Sequence, residues 1–164
     1  MTPKKRLNTK DLVQKIEKLA RERMTSGTVV EFENLKSLRK KEKPSLLIIE
    51  DDETMRKSLN RLFESEGYRV ITASDGVQLS EVLDDSIINI IVLDVGLPWI
   101  NGFELAEMMK THPELKSIPL IFISAHADQE MIKKGFAVGA DDYITKPFNI
   151  EKIKKTVKAL LDLS

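Results

Sequence analysis

The chain has 164 residues, contains no cysteine, and balances 26 Lys and Arg against 26 Asp and Glu. This length suits one ordinary domain with an appendage, and the lack of cysteine excludes a disulfide framework and a thiolate metal site. No apolar stretch approaches the roughly 18 residues of a membrane span, and the basic N-terminus lacks the apolar region of a signal peptide. We therefore expect a protein that resides in the cytoplasm and has no membrane partner.

Charge divides the chain into two parts. Residues 1–44 hold 13 Lys and Arg against 6 Asp and Glu, an excess of seven positive charges that the remaining residues balance. Apolar residues recur there at helical spacing, at Leu12, Ile16, Leu19 and Ala20. This pattern predicts one amphipathic helix from Asn8 or Thr9 to Met24, followed later by a basic linker. We predict an N-terminal extension over residues 1–44 and a folded domain over residues 45–164.

From Leu46 onward, short β-branched runs alternate with amphipathic segments, which is typical of βα units around a parallel sheet. The predicted strands span residues 46–50, 69–73, 89–94, 119–124 and 142–145. The predicted helices span residues 54–65, 78–84, 102–110, 129–136 and 150–163. Two of the strands, INIIVLD and IPLIFIS, are nearly unbroken apolar runs, which favours central positions covered on both faces. We expect Thr54 and Asn101 to cap the first and third helices, and Gly67 to end the first.

Polar residues stand where these apolar runs end. They are Glu50 and Asp51 after the first strand, Asp94 after the third, Ser124 after the fourth and Lys146 after the fifth. Because the carboxyl ends of parallel strands share one edge of a sheet, we expect these side chains to form one pocket. Crowded carboxylates repel unless a cation lies among them, and Mg²⁺ prefers such hard oxygen ligands. The sequence therefore predicts a pocket for Mg²⁺ and a phosphoryl group.

The neighbours of these residues support the same interpretation. Asp94 precedes the turn Val-Gly-Leu-Pro, which keeps its carboxylate at the strand end, where it can attack phosphorus. Ser124 is followed by a small alanine, so its hydroxyl is open to a phosphoryl oxygen. Pro147 disfavours a helical conformation at Lys146, so the ammonium can project from the strand end. Asp52 and Glu53, by contrast, are expected to be solvated acids favoured by the helix dipole.

These residues resemble the receiver domain of two-component response regulators, of the chemotaxis-regulator type. The resemblance covers residues 45–164 and rests on the motifs IIED, VLDVGLPWINGFEL, FISAHA and YITKPF. It implies an α/β fold: a doubly wound, flavodoxin-like parallel sheet of five strands in the order 2-1-3-4-5, with helices on both faces.

The resemblance also implies roles for the pocket residues. Asp94 would be the phosphoacceptor, and Ser124 and Lys146 would contact the phosphoryl group. Mg²⁺, or Mn²⁺ in its place, would be held by Glu50, Asp51, Asp94 and the backbone carbonyl of Gly96. The Lys146-Pro147 peptide bond would be cis, which proline tolerates.

The implied function is a signalling switch controlled by phosphorylation. A sensor histidine kinase or a phosphotransfer protein would supply the phosphoryl group, and the chain would lose it by slow self-dephosphorylation rather than act as an enzyme. Gly96 and His126 occupy the positions that tune access of water. Ser124 would shift toward the phosphoryl group while Tyr143 turns inward. The altered face, formed by the fourth helix, fifth strand and fifth helix, would bind a downstream protein or a second copy of the chain.

Several alternatives stay open from the sequence. A Mg²⁺-dependent phosphohydrolase would place a second Asp two residues after the nucleophile, where this chain has Gly96. A DNA-binding transcriptional regulator would have to use the basic residues 1–44, which lack a helical pair joined by a turn. Alternatively, the apolar stripe of that segment packs on the folded domain, dimerises or binds a partner.

Two aromatic residues have more than one interpretation. Tyr143 is either the switch residue or an ordinary strand aromatic, half-buried at a sheet edge. Trp99 is expected to be exposed next to the pocket, as a partner contact or as loop filling. His126 either acts on water or is an exposed loop histidine without a role.

Overall fold

The structure is a computed structural model that describes residues 42–164, so the predicted N-terminal helix and most of the predicted extension lie outside the described residues. Five strands alternate with five helices in the described part. The strands are β1 (Ser45–Ile49), β2 (Arg69–Ala73), β3 (Ile90–Asp94), β4 (Leu120–Ser124) and β5 (Asp142–Thr145). The helices are α1 (Glu53–Ser65), α2 (Gly76–Asp85), α3 (Gly102–Thr111), α4 (Gln129–Ala137) and α5 (Ile150–Leu163). Every strand and helix predicted for residues 45–164 is present, with bounds that differ by at most two residues.

The five strands form one parallel sheet in the order β2-β1-β3-β4-β5. This confirms the predicted doubly wound fold. All residues of β1, β3 and β4 are buried, as their continuous apolar sequence predicts for central strands. Consecutive strands are joined through helices, so the carboxyl ends of all five strands lie at the same edge.

Two apolar layers cover the sheet. On one face, Leu46 and Ile48 of β1 pack with buried residues of α1 and α5. On the other face, Leu47 and Ile49 pack with residues of α2 and α3, and partly buried residues of α4 join them. The alternation follows from the two-residue period of a strand, which directs successive side chains to opposite faces. The strands therefore stay fixed from both sides up to their carboxyl ends.

Each helix begins with a side-chain cap. The capping residues are Asp52, Asp75, Asn101, Asp128 and Asn149, and each accepts a hydrogen bond from a backbone N–H of the first turn. The prediction that Asn101 caps α3 is confirmed, but the prediction that Thr54 caps α1 is wrong. Asp52 Oδ1 accepts from the backbone N–H of Met55 at 2.7 Å, so a carboxylate two residues earlier takes that position. Gly67 follows the end of α1 with φ of +90°, as predicted for a helix terminus.

The described chain joins the sheet at its amino edge. The carbonyl oxygen of Pro44 accepts from the backbone N–H of Arg69 at 2.9 Å, just before β1 begins at Ser45. The domain boundary at residue 44 stays a prediction, because residues 1–41 lie outside the described part. Within residues 42–164, no helix has the length and apolarity that a membrane crossing requires.

The start of α3 approaches the end of β3 so closely that only glycine fits at position 102. A Cβ there would lie 2.6 Å from Val95 Cα and 2.7 Å from the carbonyl oxygen of Asp94. We expect Gly102→Ala to lower the free energy of unfolding by about 2 kcal/mol, the cost of overpacking a site whose neighbours are backbone atoms. Urea unfolding measures this change in the free energy of unfolding. Gly96→Ala is the matched control, because its Cβ would meet only Asp94 Oδ1, at 3.9 Å; equal losses in both variants would contradict the close approach.

Candidate functional site

The predicted pocket residues meet at the carboxyl edge of the sheet. Glu50 and Asp51 follow β1, Asp94 ends β3, Ser124 ends β4 and Lys146 follows β5. One carboxylate oxygen from each of Glu50, Asp51 and Asp94 lies within 4.8 Å of the others. Because β1 and β3 are paired neighbours, the register of the sheet sets this proximity.

Lys146 supplies the positive charge of this cluster. Its Nζ lies 3.1 Å from Glu50 Oε2 and 3.6 Å from Asp94 Oδ2. One ammonium therefore reduces the repulsion between two carboxylates that come from different strands. The Lys146-Pro147 peptide bond is cis, as the resemblance implied.

Glu50 is the most buried member of the cluster, with 0% of its surface exposed. Its Oε1 accepts from the backbone N–H of Asp52 at 3.1 Å, and its Oε2 accepts from Lys146. The pKa of Glu50 is raised to about 7, mainly by burial and then by the charge of Asp94, while Lys146 and the backbone N–H of Asp52 oppose this rise. Glu50 therefore holds a proton more readily than an ordinary carboxyl group.

Asp94 is held by the turn that follows it. The backbone N–H of Gly96 donates to Asp94 Oδ1 at 3.1 Å, while Oδ2 faces Lys146. Asp94 is 6% exposed, whereas Asp51 and Gly96 are exposed. Asp51 and Gly96 are therefore the members of this edge that solvent reaches, and Asp94 beside them is buried.

Arg56 is a contributor to the site that the sequence did not reveal. Its Nη1 donates to the backbone carbonyl oxygens of Glu50 and Asp51, each at 3.2 Å. This arginine on the first turn of α1 fixes the backbone that carries the acid pair. An arginine shortly after two acids is a weak signal, since most arginines at such spacing are solvated.

A chain of hydrogen bonds links Ser124 to Tyr143. Ser124 Oγ accepts from the backbone N–H of His126 at 3.0 Å, and the Tyr143 hydroxyl donates to the His126 carbonyl oxygen at 2.9 Å. Tyr143 is 6% exposed, so the half-burial expected for an ordinary strand aromatic is wrong. The imidazole of His126 is on an exposed residue, but the backbone of His126 connects the two. An inward Tyr143 is thus a conformation of this chain, and its dependence on phosphorylation stays a prediction.

Trp99 is partly buried, so the expected exposure is wrong. Its ring covers the start of α2, where a Cβ on Gly76 would lie 3.3 Å from Trp99 Cε3. The missing side chain at Gly76 provides the space that receives the ring. Trp99 Nε1 is buried and has no hydrogen-bond partner among the described residues. This packing favours loop filling over a partner contact.

The raised pKa of Glu50 makes stability depend on pH. Between the ordinary value of 4.5 and about 7, the unfolded chain loses this proton while the native state keeps it. The free energy of unfolding should therefore fall as pH rises through that window, by at most roughly 3 to 4 kcal/mol, since one pKa unit corresponds to about 1.4 kcal/mol. Glu50→Gln should flatten this dependence in urea unfolding without divalent ions. Glu104→Gln, at an exposed site on α3, is the control and should not; identical slopes would refute the assignment.

Gly135 of α4 provides the space that the Tyr143 ring occupies. A Cβ there would lie 2.8 Å from Tyr143 Cδ2 and 3.2 Å from Phe122 Cδ2. We expect Gly135→Ala to displace the ring and break its hydrogen bond to His126. NMR cross-relaxation between the Tyr143 ring and His126 should then be lost. Alanine itself favours the helix by about 1 kcal/mol, so the loss would not reflect a weaker α4. Tyr143→Phe is the control that keeps the ring in place, and persistent contacts in Gly135→Ala would show that the neighbours yield instead.

The chain is similar in sequence to known proteins. A family model described as the response regulator receiver domain matches residues 46–158. The chain is 39% identical over 119 residues to the aerobic respiration control protein ArcA of Escherichia coli (strain K12), covering 72% of this chain and 48% of ArcA. It is 32% identical over 118 residues to the phosphate regulon transcriptional regulatory protein PhoB of Rhizobium meliloti (strain 1021), covering 72% of this chain and 52% of PhoB. This chain thus spans about half the length of these relatives.

Solved structures agree with the sequence relatives. The non-phosphorylated HemR receiver domain of Leptospira biflexa is similar with a TM-score of 0.67 and 32% identity, over 74% of this chain and 97% of that one. The chemotaxis protein CheY4 of Vibrio cholerae is similar with a TM-score of 0.67 and 28% identity, over 73% of this chain and 99% of that one. The family match, the order of the strands and the acidic edge of the sheet lead to one conclusion: the chain belongs to the receiver domains of two-component response regulators.

Proposed function

We propose that Asp94 accepts the phosphoryl group in this receiver domain. Receiver domains of response regulators are phosphorylated on aspartate and act in phosphorelay signalling as phosphoacceptors rather than as conventional enzymes. One observation carries the assignment to Asp94: the carboxylate at the end of β3 lies in a cluster with Glu50 and Asp51 and faces Lys146. The two strands beside β3 fix the position of this residue, which a nucleophile in an in-line transfer requires.

The residues of the cluster fit a divalent cation. Three carboxylates offer hard oxygen donors within 4.8 Å of one another, and exposed Asp51 is reachable from solvent. Glu50, Asp51, Asp94 and the carbonyl of Gly96 would hold Mg²⁺, or Mn²⁺ in its place. Both Glu50 oxygens already accept a hydrogen bond, but a carboxylate keeps further lone pairs. When bound, the cation would neutralise negative charge on the phosphoryl oxygens.

The chain's own residues account for the transfer. An oxygen of Asp94 attacks phosphorus, and the bond from phosphorus to the donor's histidine nitrogen breaks, so the histidine recovers its electron pair. Lys146 lies 3.6 Å from Asp94 Oδ2 and can pair with a phosphoryl oxygen. Ser124 Oγ accepts from the His126 backbone N–H and retains its own proton to donate to the phosphoryl group. The donor is a sensor histidine kinase or a phosphotransfer protein, the partners of receiver domains.

Phosphorylation would alter the face formed by α4, β5 and α5. The modification adds about −1.5 to −2 charges beside Ser124. Because the backbone of His126 joins Ser124 to the Tyr143 hydroxyl, a shift of Ser124 would change the hydrogen bonding of Tyr143. This face would then bind an effector protein or a second copy of the chain. The proposed compartment is the cytoplasm, because a histidine kinase obtains its phosphoryl group from ATP there.

The phosphoryl group would be lost slowly by hydrolysis. Gly96 has no side chain to cover Asp94, and His126 is exposed at the other position that tunes access of water. Both features favour entry of water over shielding. A separate phosphohydrolase activity is not supported, because no acid occupies position 96.

A DNA-binding output is the second candidate function. The relative PhoB is named a transcriptional regulatory protein, and about half of its length lies outside the match. In this chain, the basic residues 1–44 are the candidate DNA contact. That binding would weaken steeply with salt, because phosphate contacts release counterions.

The test of the proposed function is phosphorylation by acetyl phosphate or phosphoramidate. Intact-mass spectrometry should show one added phosphoryl group in the wild type and none in Asp94→Asn, since an amide oxygen is a far weaker nucleophile than a carboxylate. Asp52→Asn is the matched control, because the Asp52 side chain caps α1 and asparagine is an equally good cap. It should still be phosphorylated.

The same assay tests the cation. Chelation of divalent ions should reduce the phosphorylation rate by about 100-fold or more, because the crowded carboxylates would repel the incoming phosphoryl group. Asp51→Asn should cause a similar loss at limiting Mg²⁺. Phosphorylation of Asp94→Asn to the wild-type level would refute the assignment, and full activity under chelation would refute the role of the cation.

A further inference from the structure

The outer face of α2 differs in charge from every other helix of the described residues. Glu81, Asp84 and Asp85 are its charged residues, and it has no Lys or Arg. The other helices within residues 42–164 all carry lysine, and α1 and α5 carry more basic than acidic residues. A basic segment is therefore attracted to α2 more strongly than to the rest of the helical surface.

This face is also apolar at both ends. Val77, Glu81 and Asp84 recur at helical spacing on the side opposite buried Leu79, and Ile87 follows just beyond the helix. Val77 is 72% exposed and Ile87 is 46% exposed. We call the outward stripe of Val77, Glu81, Asp84 and Ile87 the α2 face. Two acids flanked by two exposed apolar side chains are complementary in charge and polarity to a basic amphipathic helix.

The N-terminal extension has the complementary pattern. Its predicted helix carries Leu12, Ile16 and Leu19 on one side, and Arg23 falls on that side at helical spacing. Lys15 lies next to the stripe. Residues 1–44 have an excess of seven positive charges, and the rest of the chain has the corresponding deficit.

The chain joins the domain beside the α2 face. The backbone N–H of Ser45 donates to Asn89 Oδ1 at 2.8 Å, and the N–H of Asn89 donates to the Ser45 carbonyl oxygen at 2.9 Å. Asn89 is two residues after Ile87, so the start of β1 at Ser45 lies near the C-terminal end of α2. The residues between Gly27 and Ser45 can span roughly 60 Å when extended, whereas α2 is only about 15 Å long. The linker is therefore long enough for the predicted helix to contact the α2 face.

We propose that residues 8–24 dock on the α2 face within the same chain. The apolar stripe of the segment covers Val77 and Ile87, while Lys15 and Arg23 pair with Glu81 and Asp84. The contact leaves the face of α4, β5 and α5 open. The extension is then a tethered arm held on the acidic helix rather than a blocker of the switching face.

Paramagnetic relaxation in the full-length chain tests this docking. The chain has no cysteine, so Ser26→Cys allows a single nitroxide label at the end of the predicted helix. Broadening of amide signals should concentrate on residues 77–87 and exceed that on α1, α4 and α5. It should weaken in 1 M salt, where the screening length falls to about 3 Å from about 10 Å at 0.1 M.

Charge reversal provides the matched variants. Glu81→Lys with Asp84→Lys should reduce the broadening of residues 77–87 by about half or more, because two attractions become repulsions. Glu104→Lys with Glu107→Lys makes the same charge change at exposed sites on α3 and should leave it unchanged. Adding Lys15→Glu and Arg23→Glu to the α2 double variant should restore the broadening. If the lysine variant fails to fold, Glu81→Gln with Asp84→Asn removes the same charges.

Any of the following results would overturn the proposal. Broadening could centre on another helix or spread evenly, it could survive reversal of the α2 charges, or the α3 control could lose it equally. A mixture of isotope-labelled protein without nitroxide and unlabelled protein with nitroxide separates contact within one chain from contact between two. Broadening in that mixture equal to the intramolecular value would show that a second copy docks, and the proposal would be wrong.

Discussion

The ion pairs of Lys146 with Glu50 and Asp94 are the interaction on which the functional edge of the domain depends. A buried carboxylate is costly unless it is paired and hydrogen-bonded, and Glu50 is completely buried. Lys146 reaches two carboxylates from two different strands, at 3.1 and 3.6 Å. Removing one partner of such a buried pair is strongly destabilising, because it leaves uncompensated charge. The cluster therefore gives up some stability to keep charged groups where chemistry needs them.

The first turn of α1 is organised around the same carboxylates. Asp52 caps the helix with its side chain and donates its backbone N–H to Glu50, so one residue serves both the helix and the site. Arg56, one turn later, holds the carbonyl oxygens of Glu50 and Asp51. The acid pair is thus fixed by side chain, backbone and a neighbouring helix, which is the support that a precisely placed site requires.

On the other side of the pocket, packing and hydrogen bonding meet at Tyr143. The ring lies against Phe122 with centroids 6.0 Å apart, and Gly135 leaves the space it fills. Its hydroxyl is bonded to the loop that also positions Ser124. The proposed switch would require a second arrangement of this ring, because only an element with two states can convert a local charge into a change of surface.

The sequence by itself determined the α/β alternation, the central strands and the residues at the strand ends. Apolar runs of strand length, each ended by a polar residue and separated by amphipathic segments, fit few folds other than a parallel α/β sheet. The sequence alone therefore predicted that one edge of the sheet holds Glu50, Asp51, Asp94, Ser124 and Lys146. Asn101 and Gly67 were predictable because caps and helix ends depend on local backbone geometry.

Only the tertiary structure decided which groups touch. It showed that Asp52 rather than Thr54 caps α1, that Arg56 holds two carbonyl oxygens, and that Trp99 lies against Gly76. It also placed Tyr143 inward, against Gly135 of another element. These contacts join segments distant in sequence or depend on the choice of side-chain rotamer. Neither leaves a periodic signal, because both are set by the space that remains after the layers have packed.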